Sequence, residues 1–352
     1  LFVVASLPRR HERKTMKTII VTGAAGFLGS HIARRHLDMG DQVLGVDDFS
    51  SSARGSLHLK NLQKHSGFTF LEGNIIHEAT LSKMTHGWIW GNGGLNRIYN
   101  FACPASPPVY QAKPIHTMLT CVVGLDNVLK LARSTSARVV HASTSEVYGD
   151  PVSSPQGESY RGNVNSYGPR ACYDEGKRAA EALCYDYLNS FSTDVRMVRI
   201  FNTYGPHMDP CDGRVVSNFI VQALKRQRLT IYGDGMQTRS FCYVDDLVDG
   251  IVAMGDLNEN PRKPVNLGNP YEFTVKELAQ RVIHEVLYSD RPVTSAWPRD
   301  VSAFIDSRPL PVDDPLQRRP DITAAKALLG WEPKVQLQSG LAKTIEYFRS
   351  QV

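Results

Sequence analysis

Along the first part of the chain, short and nearly continuous apolar runs alternate with stretches whose apolar residues recur at helical spacing. "KTIIVTG" (17–23) is β-branched and ends on glycine, the pattern of a strand buried on both faces. "FLGSHIARRHLDMG" (27–40) predicts a helix that stops at Gly40. Further strands are predicted at "DQVLGVDD", "FTFLEGN", "NRIYNFAC", "ARVVHASTS" and "VRMVRIFN". Strands alternating with helices predict an α/β fold, a Rossmann-type doubly wound parallel sheet whose ligands sit beyond the carboxyl ends of the strands. After about residue 205 the pattern loosens into Gly- and Pro-rich loops between short helices, as in "GPHMDPCDGR" and "YGDGMQTRS". Residues 16–205 are therefore expected to form mainly the nucleotide-binding domain. Residues 206–352 are expected to form mainly a smaller substrate lobe, with some chain exchanged between the two. Residues 1–15 read as a disordered tail, and 82–96 ("SKMTHGWIWGNGGLN") as an insertion forming a surface loop, a flap or a partner contact.

Composition narrows the function classes. The 42% apolar and 21% charged fractions are those of a soluble globular protein. The net charge of +5 is concentrated at the start, where Arg9, Arg10, Arg13 and Lys14 face only Glu12. No basic stripe interleaved with aromatics follows, which argues against nucleic acid, while a mild positive excess suits a small anionic substrate. The six cysteines are scattered without metal-ligand spacing, so reduced thiols and no metal are expected. The N-terminal apolar run is too short to span a membrane, and a cytoplasmic enzyme without a membrane anchor is expected.

Chemistry first becomes specific at "GAAGFLG". Gly23, Gly26 and Gly29 are spaced G-x-x-G-x-x-G between a strand and a helix, where the backbone approaches a pyrophosphate and the helix N-terminus offers unpaired N–H groups. Asp47 lies 24 residues past Gly23 at the next strand end, placed to accept ribose hydroxyls. It would repel a 2′-phosphate, so NAD is favoured over NADP.

"RACYDEGKRAAE" (170–181) sets Tyr173 and Lys177 four apart on one helical face, with a helix-weakening Gly176 between them. A phenol with a pKa of about 10 is a weak base at neutral pH unless a cation favours its phenolate. Lys177 and the positive nicotinamide ring are expected to supply that charge, so that Tyr173 takes a hydroxyl proton as hydride leaves the same carbon. Downstream of a dinucleotide loop and of "STSEVYG" (143–149), the pair reads as catalytic.

Taken together, these motifs resemble the extended short-chain dehydrogenase/reductase family over residues 17–350. Within it, "CPASPPVY" (103–110), "ASTSEVYGDP" (142–151), "GPRACYDEGKRAAE" (168–181), "RIFNTYGP" (199–206), "YGDGMQTRSFCYVDDL" (232–247) and "RRPDI" (318–322) are similar to the UDP-glucuronate decarboxylases, or UDP-xylose synthases. That resemblance implies oxidation of UDP-glucuronate at C4 by bound NAD, loss of CO2 from the resulting β-keto acid, and re-reduction to UDP-xylose. It implies Tyr173 as base, Lys177 as its electrostatic and ribose-binding partner, and Thr144 as a hydrogen-bonding partner of O4. It also implies Arg318 near the sugar carboxylate, and a homodimer built on the Tyr/Lys helix and the helix before it, for which Ala179, Ala180, Ala182 and Leu183 supply small apolar positions. Further positions implied at the cofactor are Phe27, Leu28, Asp48, Asn74, Ile75 and Thr203. At the nucleotide sugar they are Tyr110, Asn202, Arg214, Asn218, Tyr232, Gln237 and Arg239.

The residues themselves discriminate among related chemistries. Related nucleotide-sugar 4,6-dehydratases usually carry Asp-Glu after the threonine, because expelling the C6 hydroxyl needs an acid. Here Ser145 cannot protonate a leaving group, and Glu146 suits proton handling at C5 or a structural acceptor role. A protein releasing the 4-keto pentose with NADH, a different dehydratase or epimerase, and a non-catalytic NAD-binding module remain as alternatives. The sequence also departs from the family pattern: Asn74 stands where Asp commonly approaches the adenine, Cys121-Val122 stand for a frequent Asn-Thr, and His207 for a common Arg. The Asn-to-Cys change bears on proton exchange without removing the Tyr–Lys pair.

Overall fold

The computed structural model describes residues 16–86, 94–288, 301–309 and 317–352. The expected tail 1–15 and the tryptophan-bearing part of the 82–96 insertion lie outside the described residues.

A seven-stranded sheet organises the chain. Its first six strands are β1 (Thr18–Thr22), β2 (Gln42–Asp47), β3 (Phe68–Glu72), β4 (Arg97–Asn100), β5 (Arg138–Thr144) and β6 (Val195–Ile200). The seventh strand, Val265–Leu267, comes from the C-terminal half and pairs with β6, so the sheet is completed by chain beyond residue 205. The spatial order runs from Val265–Leu267 through β6, β5, β4, β1 and β2 to β3, and every pairing is parallel. Alternate side chains of one strand enter opposite cores. Ile19 and Val21 join one buried cluster with Val43, Val140 and Val198, while Ile20 joins the other with Leu44, Ile98 and Val139. Burial on both faces is the reason these strands read as continuous apolar runs.

Strand order reverses between β1 and β4, opening a crevice at their carboxyl ends. The glycine loop follows β1 and the Phe101–Ser106 loop follows β4, so both border that crevice. Beside them packs the helical run Pro114–Thr135, interrupted by a π-helical turn at Thr120–Gly124. By length and composition it could cross a membrane, but Leu125, Val128, Leu129 and Ala132 are buried in the core against the sheet. The 21-residue helix Ala171–Phe191 carries the Tyr/Lys pair.

The second lobe closes over the crevice with helices Val215–Leu224, Val275–Leu287 and Leu337–Arg349. A reciprocal capping box between Thr274 and Glu277 fixes the start of the middle one. Among its short strands, Gln317–Arg318 runs parallel to Thr238–Ser240, setting Arg318 beside Arg239.

Candidate active site

One cavity of about 600 Å³ runs from the glycine loop, past the Tyr/Lys helix, into the second lobe. Every residue that the sequence suggested for cofactor, catalysis or substrate lines it.

At the cofactor end Gly23 has φ +73°, and a Cβ there would lie 2.6 Å from the Phe101 carbonyl oxygen. Glycine is thus needed for both conformation and space. Gly29 packs its helix onto this turn. Gly26 is the N-cap of helix Phe27–Asp38, and no side chain caps it, leaving the first-turn N–H groups directed at the crevice beside Phe27 and Leu28. Asp47, at the end of β2, accepts hydrogen bonds from Ala25 N (3.0 Å), Phe49 N (2.9 Å) and Ser52 Oγ (2.8 Å). These leave room for one more donor on a carboxylate. Burial pushes Asp47 above its ordinary value, against those hydrogen bonds. Asp48 sits 3.6 Å from His116, and Asn74 accepts Ile76 N at 2.8 Å. Ile75 is buried against Gly124, and Thr203 donates to the Phe201 carbonyl at 2.9 Å. The uncapped helix end, the glycine cradle and the strand-end carboxylate fit a dinucleotide.

At the catalytic centre Tyr173 is 5% exposed and stacks on Tyr110, ring centroids 5.0 Å apart and 4° from parallel. Thr144 ends β5 near Tyr173, and its Oγ1 accepts Glu146 N at 3.2 Å as N-cap of the 3-10 turn Ser145–Tyr148. Ser145 is buried in that turn. Lys177 donates to the Ala142 carbonyl at 2.8 Å, and its Nζ lies 5.9 Å from the Tyr173 ring centre. In this state the charge of Lys177 does not by itself bring the Tyr173 hydroxyl down. Burial, reinforced by Cys103, Glu146 and Cys121, holds the Tyr173 hydroxyl well above 10, and the hydrogen bond with Thr144 only partly offsets it. The phenol is a proton holder until cationic charge enters beside it. Tyr110 lines the cavity wall, while its hydroxyl is buried with no hydrogen-bond partner.

Of the two roles the sequence left open for Glu146, the geometry favours the acceptor over the proton handler. Its carboxylate pairs with both Arg318 nitrogens, Nη2 at 2.9 Å, and accepts Arg170 Nη2 at 2.7 Å. Burial alone would raise it, but the two guanidiniums overcome burial and hold it below the ordinary carboxylate range. In this geometry Glu146 is an anion clamped by two arginines rather than an acid. Arg318 does reach the site, and it is Glu146 that occupies it. Sequence reasoning missed Arg170, one residue before the helix, and Asp174, 3.8 Å behind it. Burial and the nearby Glu146 push Asp174 up to about 7. Arg170 sits three positions before Tyr173, one turn below on the same helical face, which is the signal that could have found it.

On the substrate side, Arg214 begins helix Val215–Leu224 and pairs with Asp212 at 3.2 Å, and Asn218 donates to the Gly213 carbonyl at 2.9 Å. Gln237 donates to the Tyr232 carbonyl at 2.7 Å, Arg239 is buried beside Arg318, and Asn202 lies where β6 leaves the sheet. Tyr232 remains 40% exposed at the mouth. Among the described residues no cluster of His, Cys, Asp and Glu could hold a metal ion.

A glycine-cradled dinucleotide site opening onto a buried Tyr–Thr–Lys group and a ring of arginines defines a nucleotide-dependent oxidoreductive enzyme acting on an anionic substrate. A family model described as GDP-mannose 4,6 dehydratase matches residues 20–344. UDP-glucuronic acid decarboxylase 1 of Xenopus tropicalis is 44% identical over 341 residues, covering 97% of this chain and 74% of that protein. UDP-glucuronic acid decarboxylase 4 of Arabidopsis thaliana is 45% identical over 348 residues, covering 98% of this chain and 71% of that protein. The solved structure of UDP-glucuronic acid 4-epimerase from Bacillus cereus, with UDP-glucuronic acid and NAD, superposes with a TM-score of 0.80 at 26% identity, covering 95% of this chain and all of that one. The chain belongs to the extended short-chain dehydrogenase/reductase family, in its branch of UDP-glucuronic acid decarboxylases.

Proposed function

We propose that the chain converts UDP-glucuronic acid to UDP-xylose with NAD as a returning hydride carrier. The observation that carries this is the Arg318–Glu146–Arg170 cluster, assembled beside Tyr173 from segments 172 residues apart. Such a cluster supports a substrate carboxylate at the reacting carbon's neighbour. Gly23, Gly26 and Asp47 would hold NAD between the glycine loop and Tyr173, where it would supply a reversible hydride acceptor for C4.

The protein's own groups do the rest. Tyr173 takes the C4 hydroxyl proton, and Thr144 orients that oxygen. Lys177 fixes the helix to β5 through Ala142 and adds positive charge. The substrate carboxylate competes with Glu146 for Arg318, which holds it out of water. When CO2 leaves, the C5 electron pair delocalises onto O4; C5 then takes a proton from solvent water to give the 4-ketone, and Tyr173 returns its proton to O4 as hydride comes back to C4. Asp47 and Gly26 bind the cofactor's ribose and phosphates, while Arg239, Gln237 and Asn202 face the sugar diphosphate, where a guanidinium suits paired phosphate oxygens.

We infer also a homodimer. Ile115, Leu119 and Val123 are exposed at 76, 41 and 37% and repeat every four residues along the helical run Pro114–Thr135, with exposed Tyr185 on the Tyr/Lys helix beside them. Sedimentation of wild type against Ile115→Lys tests it. All six cysteines are free thiols, which supports a reducing compartment such as the cytoplasm. Imaging of a tagged full-length protein tests that assignment.

The function test is incubation with UDP-glucuronic acid, with and without added NAD, following CO2 and the sugar product by NMR. UDP-xylose without net NADH supports the closed cycle. A 4-keto pentose with one NADH per turnover establishes the release variant instead, and no CO2 from a protein that retains NAD sinks the decarboxylase reading.

A further inference from the structure

Two thiols meet at the flank of the Tyr/Lys helix. Cys103 lies in the loop after β4 and lines the cavity, while Cys121 is buried in the π-helical turn Thr120–Gly124. Their sulfurs are 3.4 Å apart. Gly176, between Tyr173 and Lys177, packs directly on Cys121: a Cβ there would lie 3.2 Å from Cys121 Cβ and 3.3 Å from its Sγ. The missing side chain in the catalytic helix is thus the space that Cys121 occupies. The hydrogen bond from Cys103 and the positive charge of Lys177 lower Cys121 to about 7 against its burial, so a nucleophilic thiolate is accessible near neutral pH.

We propose that Cys103 and Cys121 are a reversible redox pair whose disulfide shuts the site. The oxidant is a peroxide entering by the cavity. Cys103, which lines the cavity, passes its proton to the Cys121 thiolate across the 3.4 Å contact, and its sulfur attacks a peroxide oxygen; the O–O bond breaks, a sulfenic acid forms, and the departing hydroxide takes the proton from Cys121 and leaves as water. The regenerated Cys121 thiolate then attacks the Cys103 sulfur, the S–O bond breaks, and the second hydroxide leaves as water with the proton that Cys121 had first given to solvent. Two thiols lose two electrons and two protons, and the peroxide becomes two waters. A dithiol reductant reverses the reaction by exchange.

Closing the sulfurs from 3.4 Å to the bonded distance of about 2.05 Å draws the Cys103 loop and the π-helical turn together. That loop carries Ala102, Pro104 and Ser106 on the cavity wall, and the turn supports the helix between Tyr173 and Lys177. A displacement of about 1 Å at a reacting centre can lower turnover by up to about a hundredfold. At least a tenfold fall is expected.

The experiment treats purified, NAD-loaded protein with stoichiometric hydrogen peroxide, blocks residual thiols by alkylation, and maps peptides by non-reducing mass spectrometry. The expected result is a Cys103–Cys121 linked peptide, activity down at least about tenfold, and both reversed by dithiothreitol. Cys121→Ser and Cys103→Ser should each abolish the link and the reversible inhibition, while Cys211→Ser, removing an exposed thiol elsewhere, keeps both. Thiols that stay alkylatable, a link from either cysteine to Cys172, or a link without loss of turnover would each overturn the proposal. The consequence for turnover rests on the decarboxylase reading, but the peptide map does not. A cross-link in a protein that releases no CO2 would therefore count against the reaction and not against the pair.

Discussion

Glu146→Gln tests the arginine cluster most directly. The wild-type carboxylate accepts three charge-assisted hydrogen bonds, one from Arg170 and two from Arg318, residues that are 8% and 5% exposed. Glutamine keeps one acceptor and turns an amide N–H₂ toward a guanidinium, leaving two buried cations opposed mainly by Asp174. Removing one member of a buried ion pair costs about 3–5 kcal/mol. At roughly 2.1 cal/mol/K per residue, the 352-residue chain unfolds with an entropy of about 0.7 kcal/mol/K, so 3 kcal/mol lowers Tm by about 4 °C. The charge deficit has a chemical signature that a packing defect lacks. In a Tyr173→Phe background, which leaves the sugar unoxidised, UDP-glucuronic acid brings its own carboxylate to Arg318, whereas UDP-xylose brings none. Thermal unfolding followed by calorimetry should show UDP-glucuronic acid raising Tm more in the Glu146→Gln form than in the Glu146 form, with no such difference for UDP-xylose. An unchanged Tm, or equal responses to the two nucleotide sugars, would refute the argument that Glu146 holds the carboxylate's place.

Tyr173→Phe should lower turnover by about 10²–10⁴-fold, the usual range for a positioned acid–base group, while co-purifying NAD stays at wild-type levels; loss of bound NAD together with activity would make the phenol a binding group instead. Gly176→Ala adds about 1 kcal/mol of helix propensity but forces a methyl to within 3.4 Å of Cys121 and Met118. Overpacking of about 1–3 kcal/mol should win, and a chemical-denaturation midpoint above wild type would show that the turn yields freely. His207 stacks on His58, ring centroids 5.1 Å apart, and lies 4.6 Å from His31. Burial holds all three imidazoles below their ordinary value, His207 down to about 3. The unfolded chain therefore binds these protons first, so their contribution is complete above about pH 6.5 and is lost as pH falls toward 3, by up to about 1.4 kcal/mol per pH unit for each imidazole. Denaturation at pH 7.5, 6 and 5 should show a shallower decline in His207→Gln, and parallel declines would remove His207 from the account.

Much of this molecule was legible along the chain because its determinants are local. The apolar runs of β1, β2, β4 and β5 encode strands buried on two faces, and alternation with helices encodes a parallel sheet. The Gly23–Gly29 spacing encodes a backbone able to approach phosphate, and the Tyr173–Lys177 spacing needs only one helical turn. Val265–Leu267, which completes the sheet on β6, is a strand too short to announce itself.

Charge pairing and thiol proximity belong to tertiary structure alone. Arg318 reaches Glu146 because the strand Gln317–Arg318 pairs with Thr238–Ser240 above the crevice. Only that meeting, together with the bond from Arg170, decides between the two roles left open for Glu146 and makes it a clamped anion. Tyr173 read as an activated base from its helical neighbour. Burial in the assembled cavity instead raises its proton affinity, because desolvation acts on a phenol through everything that surrounds it and Lys177 is held on Ala142. Gly176 looked like a weakness in a helix until the π-helical turn set Cys121 against it and brought Cys103 within 3.4 Å of Cys121. Periodicity and turn chemistry are properties of neighbours in sequence and can be read there, whereas protonation and the pairing of buried charges depend on groups that only folding brings together.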